Sequence, residues 1–252
     1  MTPEELLLKK RFIELARKSE SGGYYLFSDF LGLSEQSVFA EAITSLGKMK
    51  YTAFGGNEAC ERVVIRFGDS DEIGYEMPFP IKVLKVEPKS QKFADKLTHR
   101  DFLGAILNLG IERKLIGDIV IRENIGYVFV LEEMADYITS SLERVKHTDV
   151  RCSLTEALPE GELYRTETKS IQLSGERIDA AVAKVFSLSR EEAQGLFKKR
   201  LVFVSGRLTE NSSYTPKEND VISVRGYGRF IYRGVTGTSK KGKLNVSCDV
   251  YI

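Results

Sequence analysis

The stretch GERIDAAVAKVFSLSREEAQGLFKKRLVFVSGR, Gly175 to Arg207, places two helix signatures and a tight hairpin in direct succession. Ile178, Ala181, Val182, Val185 and Phe186 recur at the spacing of one helical face. Ser189 and Glu192 then stand at capping-box spacing. Ala193, Leu196 and Phe197 form the apolar face of the second helix they open. The run LVFVSGRL reads as strand, turn and strand. Short strands follow around DVISVRG, and the tail to Ile252 adds more. Two helices plus a small β-sheet are therefore expected over 174–252.

Charge points to what this module holds. The whole chain is balanced, with 37 basic and 36 acidic residues. From Arg177 to Lys243, however, 14 basic side chains stand against 6 acidic ones. From Val221 to Ser247 there are six basic residues and no acid. Arg190, Gln194 and Lys198 fall at i, i+4 and i+8, so they share one stripe of the second helix. Lys199 and Arg200 close that helix, and Arg207 follows at the turn. The helix dipole alone would favour Lys198, Lys199 and Arg200 at a C-terminus. It does not account for Arg177, Arg190, Arg207, Arg225, Arg229, Arg233, Lys240, Lys241 or Lys243. These thirteen positions are the candidate RNA-contacting residues. Their expected role is to bind phosphate and position the domain rather than to read bases.

Upstream, Thr2-Pro3-Glu4-Glu5 has the form of a capping box with proline at the first helical position. A second helix is expected from after Ser34 to Leu46, stopping at Gly47. Gly55-Gly56 marks a turn, and RVVIRF reads as a strand. Residues 1–75 are expected to be mainly helical. From Ile81 the pattern alternates: IKVLKVEP, THRDFLGAILNLG, GDIVIRENIGYVFVLEE broken at Glu123-Asn124, EMADYITSSLERV, DVRCSLTEA. That order is β-α-β-β-α-β, the ferredoxin-like, RRM-like plait, expected over 76–157. Residues 158–173, polar and aperiodic at first, read as a linker. The fold class is thus α+β.

The C-terminal module resembles the RNA-binding domain first known from ribosomal small-subunit protein four, the S-four domain. Arg177-Ile178-Asp179, Ser189-Arg190, Val202-Phe203-Val204-Ser205-Gly206 and Asn219-Asp220-Val221-Ile222 carry the resemblance. Ser205 replaces an Asn and Asn219 a Gly, both with turn-compatible residues. YTAFGGNEACER, THRDFLGAILNLGIERKLIGDI and RGYGRF extend the resemblance over nearly the whole chain, to the YlmH family of bacterial S-four proteins. The resemblance implies a cytoplasmic protein that binds the large ribosomal subunit; the N-terminal regions would contact tRNA, a partner protein or a second RNA surface. It also implies a link to ribosome quality control, through a shorter relative that acts beside an alanine-tailing factor, and to a cell-division gene neighbourhood.

Other motifs weigh less. GERID is similar to the Gly-Arg-x-Asp loop of pseudouridine synthases, but Arg177 and Asp179 already belong to the S-four start. ENIGYVFV partly matches an RNA-stacking strand, which makes Tyr127 and Phe129 candidates for stacking on bases. Ordinary strand core is the competing and favoured reading. His99-Arg100-Asp101 has no partnered nucleophile, and Asp101 suits a first helical turn. Two histidines and three scattered cysteines, Cys60, Cys152 and Cys248, give no metal-ligand spacing and no disulfide framework. No catalytic residue, metal or cofactor is expected, and a monomer is. No apolar run approaches transmembrane length, and MTPEELLLKKRF is unlike a secretory signal. The rival functions are an RNA-modifying enzyme and a cell-division scaffold.

Overall fold

The computed structural model describes residues 2–44, 49–158 and 164–252. The chain divides into two units, 1–163 and 164–252.

Unit one opens with α1 (Pro3–Gly22). The capping box expected there forms: Thr2 Oγ1 accepts from the Glu5 amide, and Glu5 accepts from the Thr2 amide at 2.7 Å. Next come β1 (Leu26–Phe27), α2 (Leu33–Ile43), β2 (Tyr51–Phe54), β3 (Val64–Phe67) and a single turn, α3 (Ser70–Ile73). The expected end of the second helix at Leu46-Gly47 lies outside the described residues. The helical reading of 1–75 needs an addition: the strand expected at RVVIRF forms as β3, and β1 and β2 flank it in a three-stranded antiparallel sheet. Phe12, Phe39 and Phe67 pack edge-to-face between it and the helices.

The alternating stretch folds in the expected element order: β4 (Ile81–Pro88), α4 (His99–Leu107), β5 (Ile116–Arg122), β6 (Ile125–Leu131), α5 (Glu132–Ser141) and β8 (Thr148–Thr155). A two-residue strand, β7 (Arg144–Val145), precedes β8 and pairs with it. The sheet order is β5-β6-β4-β8-β7, antiparallel throughout. Glu123 and Asn124 take φ of 49° and 65°, which closes the β5–β6 hairpin with both central residues left-handed. Asp101 accepts from the Thr98 amide and hydroxyl at 2.8 and 2.7 Å, fixing the start of α4. One sheet face, with Leu84, Val86, Val128 and Val130, buries against Phe102 and Ile106 of α4 and Ala135 and Ile138 of α5.

The opposite face is partly covered by the N-terminal segment. A Cβ at Gly56, where φ is +97°, would lie 2.5 Å from the Phe129 ring. One at Gly117 would lie 2.7 Å from Phe30. Both approaches need the bare backbone of glycine. Between Ile116 and Ile119 the β5–β6 register slips, and this bulge aims Asp118 inward. Its carboxylate accepts the Glu61 and Arg62 amides at 2.6 and 3.2 Å. Arg62 in turn donates to the carbonyls of Phe30, Ile116 and Arg113 at 3.0, 2.9 and 3.4 Å. Burial draws its guanidinium below its ordinary value, against the charges of Glu35 and Asp118. The conspicuous GNEACER stretch is therefore a half-buried polar staple within the unit, anchored on buried Asp118.

Unit two contains β9 (Thr166–Leu173), α6 (Ile178–Val185), α7 (Arg190–Lys198), β10 (Val202–Val204), β11 (Arg207–Leu208), β12 (Val221–Val224), β13 (Gly228–Thr238) and β14 (Leu244–Tyr251). The six strands lie in the order β11-β10-β12-β13-β14-β9, all antiparallel. Two corrections follow. The sheet is not small, because the tail supplies two long strands. The segment 158–173 is not all linker, because β9 pairs with β14 from Thr166 to Leu173. Its side chains are exposed except Ile171 and Leu173, as suits an edge strand.

The expected hairpin turn forms at Ser205-Gly206, with φ of 46° and 78° and Val204 paired with Arg207. Asn219, which stands where the resembled pattern has Gly, takes φ of 70°. Ile178, Ala181, Val182 and Val185 bury with Ala193, Leu196 and Phe197 against Val202, Ile222, Phe230 and Tyr232. Among the described residues, no helix is long and apolar enough to cross a membrane.

Candidate nucleic-acid interface

The helix pair of unit two is organised by one buried carboxylate. Asp179, in the first turn of α6, is fully buried. Arg177, just before the helix, binds it through two bonds, Nε to Oδ1 at 3.0 Å and Nη2 to Oδ2 at 2.8 Å. Gln194 of α7 donates to Oδ2 at 3.1 Å, and the Ala180 amide donates to Oδ1 at 2.9 Å. Arg190, the first residue of α7, brings its Nε to 3.8 Å. Burial alone would push this carboxyl up. The hydrogen bonds from Arg177 and Gln194, with the charge of Arg177, bring it below the ordinary carboxylate value. Asp179 therefore does more than complement a helix dipole: it ties the start of α6 to α7.

The two arginines keep much of their surface. Arg177 is 38% exposed and Arg190 67%. A guanidinium carries five donors, so Arg177 retains outward-facing N–H groups after binding Asp179. The capping box at Ser189 and Glu192 forms as expected, with bonds of 2.8 and 3.2 Å, and fixes the backbone from which Arg190 projects. Lys198 and Lys199 are exposed at the far end of α7.

The remaining candidates separate into distinct settings. Arg200 has a left-handed φ of 58° and an exposed ion pair with Glu210 at 3.0 Å. Arg207 is half-buried at the hairpin. Arg225 lies over the Phe203 ring at 4.7 Å. Arg229, half-buried, lies over the Tyr251 ring at 4.1 Å. Arg233 is neutralised by Asp249 at 2.7 Å, and Thr168 holds the other oxygen of that carboxylate. Lys240 and Lys241 stand exposed in the β13–β14 hairpin. Lys243, Arg177 and Arg190 line one cavity together with Lys184, which was not among the expected positions. Its place on α6, one position after Ala183, was the available signal.

In the middle domain the two aromatic candidates differ. Phe129 is fully buried beneath the Gly56 turn, so it has no face free for a base; this corrects the stacking expectation for that residue. Tyr127 is half-buried, paired across the sheet with Lys85. Beside it, Glu87 bridges Lys85 at 2.7 Å and Arg151 at 2.8 Å. What stays open on this sheet face is a small patch of mixed charge around one tyrosine.

Comparison with known proteins bears on the same region. A family model described as "Putative RNA-binding domain in YlmH" matches residues 75–158, a span that contains β4 through β8. A relative from Bacillus subtilis, "Ribosome-associated protein quality control protein P2", is 28% identical over 235 residues, covering 88% of this chain and 86% of the relative. Over this span the chain is similar to proteins of the YlmH family. A solved structure, "Cell division protein ylmH from Streptococcus pneumoniae", is 21% identical with a TM-score of 0.49 and covers 62% of this chain and 93% of that one. The family match adds an RNA-binding description to the domain for which the residues alone suggested a plait and two stacking candidates.

Proposed function

We propose that this chain is a non-enzymatic, cytoplasmic RNA-binding protein that docks an S-four-type domain, residues 164–252, on structured ribosomal RNA of the large subunit during ribosome quality control. The observation that carries this reading is the convergence of Arg177, Arg190 and Gln194 on buried Asp179. Cations fixed in direction lose less freedom on meeting phosphate than cations on loose stems. The name of the Bacillus subtilis relative supports the ribosomal setting. A second RNA surface on the middle domain, around Tyr127 and Lys85, is supported by the span of the family match; tRNA or a neighbouring rRNA segment would be its partner.

The test is co-sedimentation with large ribosomal subunits across a salt series. Each phosphate contact adds roughly −0.7 to −0.9 to the log–log salt slope. Arg190→Glu with Lys198→Glu should flatten the slope by roughly 1.4 to 1.8 and weaken association. Both side chains are exposed, so circular dichroism should show an intact fold. A folded double variant that sediments like the wild type at every salt concentration would refute the helix-face reading and leave the middle domain as the RNA surface.

A further inference from the structure

We propose that the cavity beside the start of α6 is a pocket for a single unstacked nucleotide of the bound RNA. The proposal rests on the RNA-binding reading above and goes beyond it, from a phosphate-contacting face to a site that takes a base.

The cavity measures about 480 Å³, within the roughly 300–1,000 Å³ of pockets that hold small ligands. Its floor is apolar: Leu173 at the end of β9, Ala183 of α6 and Leu188 of the interhelical turn. Its rim carries four cations, Arg177, Lys184, Arg190 and Lys243, and no acidic side chain lines it. The reason for the hollow lies in the sequence. Ala180 and Ala183 are one turn apart on α6, and both are small, so the helix leaves a concavity that larger side chains would fill.

That combination selects a ligand. A free phosphate or an rRNA backbone passing over the surface would use the cations and leave the apolar floor empty. An apolar peptide would use the floor and leave the cations of the rim unused. A nucleotide turned out of its stack uses both: the base lies on the floor, against the guanidinium planes of Arg177 or Arg190, and its flanking phosphates meet Lys184 and Lys243. Unpaired bases in RNA are commonly recognised in this way, by stacking on aromatic or guanidinium planes. Arg177 is suited to that role because Asp179 already fixes its plane.

The experiment compares two short hairpin RNAs that differ at one position. One carries a single bulged adenosine; the other carries an abasic ribose there, so both have the same phosphates. Binding to the full-length protein is measured at low salt. We expect wild type to prefer the adenosine RNA by about tenfold, in line with the contribution of one stacked base. Ala180→Leu, which puts bulk into the cavity from a half-buried position, should abolish the preference between the two RNAs. Lys184→Glu, at an exposed position, should weaken binding to both RNAs and serves as the fold-neutral control of location. Equal binding of the two RNAs by wild type would overturn the pocket and leave the RNA-binding reading standing. A preference that survives Ala180→Leu, or binding of both RNAs that is indifferent to Lys184→Glu, would place the base elsewhere and also overturn it. Failure of wild type to bind either RNA at low salt would instead overturn the underlying reading.

Discussion

Replacing Asp179 by Asn sets two physical expectations against each other. By charge alone, unit two becomes more cationic, so RNA binding should tighten. By geometry, it should weaken. The carboxylate accepts three side-chain hydrogen bonds, two from Arg177 and one from Gln194. An amide accepts at one end only, and its NH2 would face the donors of Arg177. A hydrogen bond to a charged group contributes about 1.5–3 kcal/mol. Because Arg177 is partly exposed, water recovers part of the deficit, leaving a destabilisation of about 2 kcal/mol at the α6–α7 junction. We expect geometry to win. With Arg177 no longer held in place, about one phosphate goes unneutralised, the salt slope flattens by roughly 0.7–0.9, and affinity falls by about threefold to tenfold. Hydrogen exchange of the α6 and α7 amides reads the first effect, and RNA binding between about 50 and 200 mM salt reads the second. Tighter binding with a steeper slope and unchanged amide protection would show that Asp179 organises nothing. The acid response has a defined sign. The folded carboxyl is held below its ordinary value, so its contribution is complete above the unfolded value near 3.9. It is lost as pH falls through the folded value. The Asn variant should lack that acid-dependent loss.

The remaining predictions concern stability. Phe129→Ala should destabilise unit one by about 3–5 kcal/mol. It should leave RNA affinity of the folded fraction unchanged, as thermal melts beside binding curves would show; weakened affinity without a lowered melting temperature would contradict the burial of this ring. Arg200→Gly should stabilise unit two by about 0.5–1 kcal/mol, since φ there is left-handed and its exposed ion pair with Glu210 contributes little. Urea denaturation of the full chain reads this one, and a lowered midpoint for unit two would count against it.

Much of the fold was legible because its signals are local. Capping boxes at Thr2 and Ser189 and left-handed turns at Glu123-Asn124 and Ser205-Gly206 each occupy a few consecutive residues. The β-α-β-β-α-β order followed from periodicity alone. The unreadable parts depend on distant partners. β9 passed for linker because an edge strand buries only Ile171 and Leu173, too few to alternate visibly. In the N-terminal sheet β3 was legible in RVVIRF, but β1 and β2, of two and four residues, are shorter than any periodic window. In the site, helical spacing brought Arg190 and Gln194 together correctly. What spacing could not reveal was that both turn toward Asp179, fifteen residues before Gln194. Nor could the pairing of Arg233 with Asp249 be read, since it needs the β13–β14 register.

The Arg62 staple has a consequence for the order in which the chain is made. Arg62 leaves the ribosome before Arg113, Ile116 and Asp118, and the most distant bond of the staple closes a separation of 57 residues, from Glu61 to Asp118. At roughly 5–20 residues per second, that delay is roughly 3 to 11 seconds. During it the N-terminal segment holds a guanidinium that has the Phe30 carbonyl but not yet those of Arg113 and Ile116, so its sheet and helices cannot reach their final packing alone. The synthesis of β5 thus supplies the remaining partners of Arg62, and a stall between residues 62 and 116 would leave a nascent chain recognisable by its unfinished N-terminal half.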